Sequence, residues 1–176
     1  LFVLLLAFSS PIFSQEILIL SKSKFDSTGL FELAQAKEWL FHSGNDAGWV
    51  ASDLNTTTWQ RLRPVDISPE LADKNGRFEG WFSIKFRLDS TMMKNSVELR
   101  KRSWAAAEIY LDGKLIQTYG RTGTNRQQDQ FEEDRIPLYT SSLPLSLTPL
   151  QEHQLVVHVV EYPSRYFSYS DYDRFL

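Results

Sequence analysis

The chain has 176 residues, a formal net charge of −3 and no cysteine. These figures exclude a disulfide scaffold and a cysteine-based zinc site, and the scattered Lys and Arg, with no basic block, argue against a nucleic-acid partner. The length is that of one ordinary domain able to bury its own core, and aromatic residues are abundant, with 5 Trp, 12 Phe and 7 Tyr.

The chain opens on an uncharged apolar run, Leu1 to Phe8, followed by Ser9, Ser10, Pro11, Phe13, Ser14 and Gln15. This is the pattern of the core and cleavage region of a secretory signal peptide, and the run is too short to span a bilayer, which takes about 20 residues. Cleavage beside Ser14 or Gln15 is expected, so that the mature chain starts near Gln15 or Glu16. No Met or basic segment precedes Leu1 and the sequence stops at DYDRFL, so it reads as a fragment whose catalytic or signalling part lies beyond Leu176. The expected organisation is a partial signal peptide over 1–15, an N-terminal extension over 16–30 and a β-sandwich over 31–176.

Helix signals are poor; the one helix-like stretch is 30–40. Strand signals are many. Phe82, Ile84, Phe86 and Leu88 alternate with Trp81, Ser83, Lys85 and Arg87, the period-two pattern of a half-buried strand. Val97 and Leu99 alternate with Glu98 and Arg100. Ala107, Ile109 and Leu111 oppose Glu108 and Tyr110, and Asp112-Gly113 follows at once. Asp-Gly between two such runs predicts a type I′ hairpin, which needs positive φ at both central positions. Leu143, Leu145 and Leu147 alternate again. Leu155, Val157 and Val159 form one face of a last strand and Val156, His158 and Val160 the other, so this strand is expected at the centre of its sheet. Turn clusters at 43–48, 73–80, 89–95, 120–134 and 148–153 separate the runs. Many short strands at this spacing predict an all-β, antiparallel sandwich or jelly roll. The polar stretch 120–134 is long for a loop of a compact domain, a length that points to function or mobility.

Three pieces carry a resemblance: Trp39-Leu40-Phe41-His42-Ser43-Gly44-Asn45-Asp46 with Gly48-Trp49-Val50 and Trp59; Gly80-Trp81-Phe82-Ser83-Ile84-Lys85-Phe86; and Ala107-Glu108-Ile109-Tyr110-Leu111-Asp112-Gly113-Lys114-Leu115-Ile116. In this order they resemble the galactose-binding-like jelly roll. That fold is found in the sugar-binding domain of β-galactosidase- and β-glucuronidase-type glycosidases, and in extracytoplasmic sensor domains of bacterial receptors such as sensor histidine kinases and nucleotide cyclases. Each piece also has a plain physical reading. Trp39 and Phe41 point the same way and plug the core, Trp49 and Trp59 pin a turn-rich segment, and Gly80 permits a close neighbour. The resemblance implies a periplasmic input module of a receptor in the inner membrane, with membrane helices and a cytoplasmic output domain downstream. The early start of the sandwich and the segment from Trp49 to Trp59 favour that receptor version; the alternatives are an accessory sugar-binding domain of a secreted glycoside hydrolase and a structural sandwich with no ligand.

Catalytic signatures are missing. No Gly-x-Ser-x-Gly elbow occurs, Gly120-Arg121-Thr122-Gly123 lacks the glycines and helix of a phosphate loop, and Glu132, Glu133 and Asp134 read as a solvated run. His42, His153 and His158 lack metal-ligand spacing, and His158 between valines reads as a structural residue. Asn45, Asp46, Asp53 and Asn55 offer oxygen atoms suited to calcium, yet without loop spacing they read as turn residues. No cofactor and no catalytic or metal residue is therefore expected. The candidate binding face is Arg100, Arg102 and Trp104 before the hairpin, with Tyr119, Arg121, Asn125 and Arg126 after it. An indole to stack on C–H surface and Arg and Asn donors to fix orientation suit a carbohydrate or a carboxylated small molecule.

Overall fold

The sequence periodicity that reads as two long strands becomes the spine of the molecule. In the computed structural model, which describes residues 15–51, 54–100, 105–131 and 142–163, β4 (Phe78–Leu88) and β9 (Glu152–Glu161) pair antiparallel from Phe78↔Glu161 to Arg87↔Glu152. Around them lie β1 (Ile17–Leu20), β2 (Leu40–Ser43), β3 (Gln60–Arg61), β5 (Val97–Arg100), β6 (Ala106–Leu111), β7 (Lys114–Tyr119) and β8 (Ser142–Leu145). The main sheet runs β3-β2-β4-β9-β6-β7, and β5 and β8 form a separate two-stranded ribbon. β9 sits between β4 and β6, the central place that its two apolar faces require. The all-β antiparallel sandwich expected from the strand pattern is the architecture observed.

One edge of β4 serves two partners. β2 pairs with Gly80 to Ser83, and β1 pairs in parallel with Lys85 to Leu88. Residues 17–20, expected to precede the sandwich, are thus a strand of its main sheet. The apolar leader itself, 1–14, lies outside the described residues. Among the described residues no helix is long and apolar enough to cross a membrane.

Alternation sorts the side chains of the sheet onto two faces. The inner face carries Phe41, Phe78, Phe82, Ile84, Phe86, Leu88, Ile109, Leu155, Val157 and Val159, all in the main core. The β5–β8 ribbon and the segment 25–33 cover this face, through Leu99 and the partly buried Phe25, Phe31, Val97, Leu143 and Leu145. Each such side chain contributes about 1.5–3 kcal/mol when fully buried. Trp39 is fully buried against Phe82, edge to face at 6.1 Å, and its indole N–H donates to Leu33 O at 2.7 Å. The helix-like stretch 30–40 forms only a single 3₁₀ turn, Leu33–Gln35, before β2 begins. A helix of that length is marginal by itself, whereas an extended chain at 39–41 puts both Trp39 and Phe41 into the core.

Two backbone features follow from local chemistry. Asp112 and Gly113 have φ of 50° and 79°, the left-handed pair of the predicted Asp-Gly hairpin. At Gly80 the space for a side chain is already taken: a Cβ there would lie 2.2 Å from Phe41 Cε2 and 2.9 Å from His42 O. Gly80→Ala is therefore expected to destabilise by about 1–3 kcal/mol through overpacking, read as a lower urea midpoint with an unchanged slope. A midpoint equal to wild type would refute the close approach.

Candidate functional site

The outer face of the main sheet is where the polar chemistry gathers. Register places His42, Trp81, His158, Glu108 and Thr118 in one row across β2, β4, β9, β6 and β7. The next row brings Leu40, Ser83, Val156, Tyr110 and Leu115 together. Residues 44–51 and 54–59 fold over one end of these rows, so Trp59, Trp81 and Val156 form a second buried cluster, with Leu40, Trp49, Val50, Leu54 and Tyr110 partly buried against it. Trp49 stands edge-on to Trp59 at 5.7 Å and to Trp81 at 6.2 Å, and the His42 ring lies 4.3 Å from it. Trp49 and Trp59 thus pin the turn-rich segment as expected. Asp46 accepts from Gly48 N–H and Asn55 from Thr57 N–H, ordinary turn chemistry at two of the positions considered for calcium; Asp53 lies outside the described residues. Among the described residues, no group of three His, Asp or Glu converges to hold a metal ion.

His158 is buried within this face and stacks on Trp81, with ring centroids 4.4 Å apart and planes 11° from parallel. Its Nε2 is 3.3 Å from Glu79 Oε1 and its Nδ1 3.5 Å from Glu108 Oε2. Tyr110 donates its hydroxyl to Glu108 at 3.0 Å. On the far side Glu79 pairs with Arg77, whose Nε donates to Asp129 at 2.9 Å and whose Nη2 donates to Gly123 O at 2.7 Å. Asp129 also accepts from Gly123 N–H and from the Tyr162 hydroxyl. One polar chain therefore runs from Tyr110 on β6 through His158 and Arg77 to the loop 120–131 and to Tyr162 just after β9.

The electrostatics follow from partners winning over burial. Burial pushes the Asp129 carboxyl up, but Arg77, the Gly123 N–H and Tyr162 outweigh it and hold the group below its ordinary value. Burial likewise opposes ionisation of Glu79, and the hydrogen bonds from His158 and Arg77 reverse the sign. For Arg77 the cost of burial is overcome by Asp129 and Glu79, which raise it further. Burial and Glu108 push Tyr110 up to about 12, and burial and Asp129 do the same to Tyr162. Glu79 and Asp129 held ionised are poorly suited to general-acid work, which needs a carboxyl raised towards neutrality.

The residues expected to form the binding face separate. Tyr119 lies opposite Ala107 and faces inward, buried in the main core, so it is a packing residue and offers no ring to a ligand. Arg100 belongs to the β5–β8 ribbon, pairs with Glu98 at 3.8 Å and lines a cavity of about 250 Å³ floored by Leu20, Phe86 and Leu155. It is thereby in a different layer from the loop that carries the other candidates. Arg121, Asn125 and Arg126 remain together on the exposed loop 120–131. Arg121 exchanges backbone hydrogen bonds with Gln130, the Asn125 carboxamide accepts from Gln127 and Gln128 N–H, and the Arg126 guanidinium sits 4.9 Å from the Tyr162 ring centre. Arg102 and Trp104 lie outside the described residues, as do Glu132, Glu133 and Asp134. The sequence reading missed Arg77, Glu79, Glu108, Asp129 and Tyr162. The one available signal was parity, which sets Glu79 beside Trp81 and Glu108 beside Tyr110 on a single face.

No family model and no curated protein matches the chain. Among solved structures it is similar to β-glucuronidase 2 of Bacteroides uniformis, at 16% identity and a TM-score of 0.49 over 68% of this chain and 13% of that one. It is also similar to a glycosyl hydrolase family 2 member from Bacteroides cellulosilyticus, at 17% identity and a TM-score of 0.45 over 69% of this chain and 16% of that one. A β-glucuronidase of an uncultured Clostridium sp. stands at 19% identity and a TM-score of 0.44, over 69% of this chain and 20% of that one. The chain thus spans between 13% and 20% of the length of these proteins.

Proposed function

We propose that this chain is a non-catalytic recognition domain of a larger exported protein, and that it binds carbohydrate on the outer face of its main sheet. The observation that carries the reading is the setting of partly exposed rings, Trp49, His42 and Tyr110, level with the partly exposed carboxylates of Glu79 and Glu108 on a paired row of strands. Rings of this kind stack on the C–H surface of a sugar, and carboxylates accept from its hydroxyls. Arg121, Asn125 and Arg126 at the border of the face add donors. A face with partly exposed rings and carboxylates at its rim suits the accessory domain of a glycoside hydrolase, which holds glycan beside a catalytic domain elsewhere in the protein.

A second reading, the input domain of a membrane receptor, draws on the polar chain that ends at Tyr162. Its hydroxyl contact with Asp129 links the outer face to the chain that leaves β9. The two readings part on the reading frame past Leu176: a barrel-type catalytic domain supports the first, and a run of transmembrane helices supports the second.

Binding itself is tested with an oligosaccharide array followed by titration calorimetry on the best glycan. Trp49→Ala is expected to weaken binding by about tenfold, the worth of one stacked ring. Glu108→Gln, which keeps the shape of the side chain, is expected to weaken it by a similar factor through the lost charge-assisted hydrogen bond. Full affinity in both variants, with an unaltered thermal midpoint, would remove the outer face as the site.

A further inference from the structure

At the end of the sandwich opposite the loop 120–131, three turns meet around the end of β4. Lys22 N–H donates to Thr91 Oγ1 at 2.9 Å, Asp89 N–H to Leu20 O at 3.0 Å, and Leu150 N–H to Leu88 O at 3.1 Å. These bonds gather the turns 21–25, 89–95 and 148–151 into one tip. Two large apolar side chains project from it, Met93 at 57% exposure and Leu150 at 53%. Outside the hairpin residue Leu115, they are the two most exposed large apolar side chains among the described residues. Met92 is buried and anchors its turn from inside, so Met93 is held outward. Leu150 has φ of +65°, a left-handed conformation that a bulky residue rarely adopts. A branched side chain is thus presented to solvent from a backbone that would be easier for glycine.

The three turns themselves carry more positive than negative charge. The three turns carry Lys22, Lys24 and Lys94, all exposed, and a single carboxylate, Asp89. Asp89 is already engaged by the Thr91 N–H and hydroxyl. Beside the turns stand three more carboxylates: Asp26, which accepts from Thr28 and Leu30, Asp112 against His153, and Glu152 paired with Lys85. None of the three lysines makes an ion pair with a described residue. In a chain of net charge −3 these turns are locally basic and locally apolar. Separate apolar points ringed by lysines match a headgroup layer, where the points enter the acyl boundary and the amines meet anionic lipid. A flat apolar face would match a protein partner instead.

We infer that the Lys22, Lys24, Met93, Lys94 and Leu150 tip docks this domain onto an anionic lipid surface. The absence of cysteine allows a direct test on the full chain. Met93→Cys at the tip and Gln127→Cys at the opposite end are each labelled with an environment-sensitive dye. They are then mixed with vesicles of about 30 mol % phosphatidylglycerol in phosphatidylcholine, or of phosphatidylcholine alone. The expected result is a blue shift at position 93 with the anionic vesicles only, reversed by raising salt to about 0.5 M, and no shift at position 127. Leu150→Asp in the Met93→Cys background is expected to cut the bound fraction by about tenfold. Three results would overturn the inference. One is no shift at 93. Another is equal shifts at 93 and 127, which would mean attachment through some other part of the chain such as its apolar leader. The third is binding that ignores lipid charge.

Discussion

Arg77→Ala is expected to lower the unfolding free energy by about 3–5 kcal/mol, the cost of removing one partner from a buried charge pair. The Arg77 side chain is 9% exposed and that of Asp129 fully buried. Alanine would leave Asp129 in the interior with only the Gly123 N–H and the Tyr162 hydroxyl, and would free Gly123 O from its donor. The loop 120–131 would lose its tether to β4 at the same stroke. Against a typical stability of about 5–15 kcal/mol, this is a large fraction. It is measured as a fall in urea midpoint, with the exposed pair as control: Arg63→Ala, which breaks the surface contact to Asp66, is expected to cost under about 1 kcal/mol. Equal effects from the two variants would mean that the Arg77 network stabilises nothing beyond a surface pair.

The same network predicts an acid limb. Asp129 and Glu79 are held below their ordinary values in the folded chain, so the unfolded chain binds protons more readily than the folded one. Their contribution is complete above the unfolded carboxyl pKa, about 4, and is lost as pH falls through the lowered native values. Thermal midpoints recorded downward from pH 6 are expected to fall below about pH 4 in the wild type. In Arg77→Ala, whose carboxylates no longer have the cation, that part of the fall is expected to flatten. A wild-type midpoint independent of pH across this window would contradict the assignment.

Period-two alternation made the sheet legible and made the site only half legible. Parity alone separates Phe82, Ile84 and Phe86 from Trp81 and Ser83, and it placed β9 at the centre because both of its faces are apolar. The Asp112-Gly113 turn needed nothing but local φ. What parity does not say is which strands share a layer. Arg100 and Arg121 flank one hairpin in sequence, and antiparallel geometry alone puts them side by side. The chain instead leaves the β5–β8 ribbon after Arg100 and joins the main sheet at Ala106, so a change of layer separates the two groups. Tyr119 shows the second failure. Read only as a residue that follows the hairpin it is a ligand contact, but it falls in register with Ala107 and so faces the core. The Arg77 to Asp129 pair was invisible for a third reason: it joins residues 52 positions apart, and no local pattern announces a contact at that separation.

Trp81 is where the outer face meets the stability of the sheet, and its substitutions separate packing from polarity. Trp81 is 2% exposed, stacked on His158 and in contact with Trp49 and Tyr110. Trp81→Ala is expected to cost about 3–5 kcal/mol, as for other buried aromatics cut to a methyl group. His158 would lose its stacking partner between two carboxylates, and Trp49 would lose its floor. Trp81→Phe, which deletes part of the buried indole, is expected to cost about 1–3 kcal/mol, less than the alanine variant. One aromatic ring remains to stack on His158, and the indole N–H it removes has no hydrogen-bond partner among the described residues, so the loss is one of volume and not of a hydrogen bond. Because Trp81 supports the face from beneath, the phenylalanine variant is expected to retain glycan affinity, whereas Trp49→Ala, on the exposed side, loses it. Loss of affinity in folded Trp81→Phe would mean that the buried indole N–H reaches the ligand, and the contact surface would then have to be drawn one layer deeper.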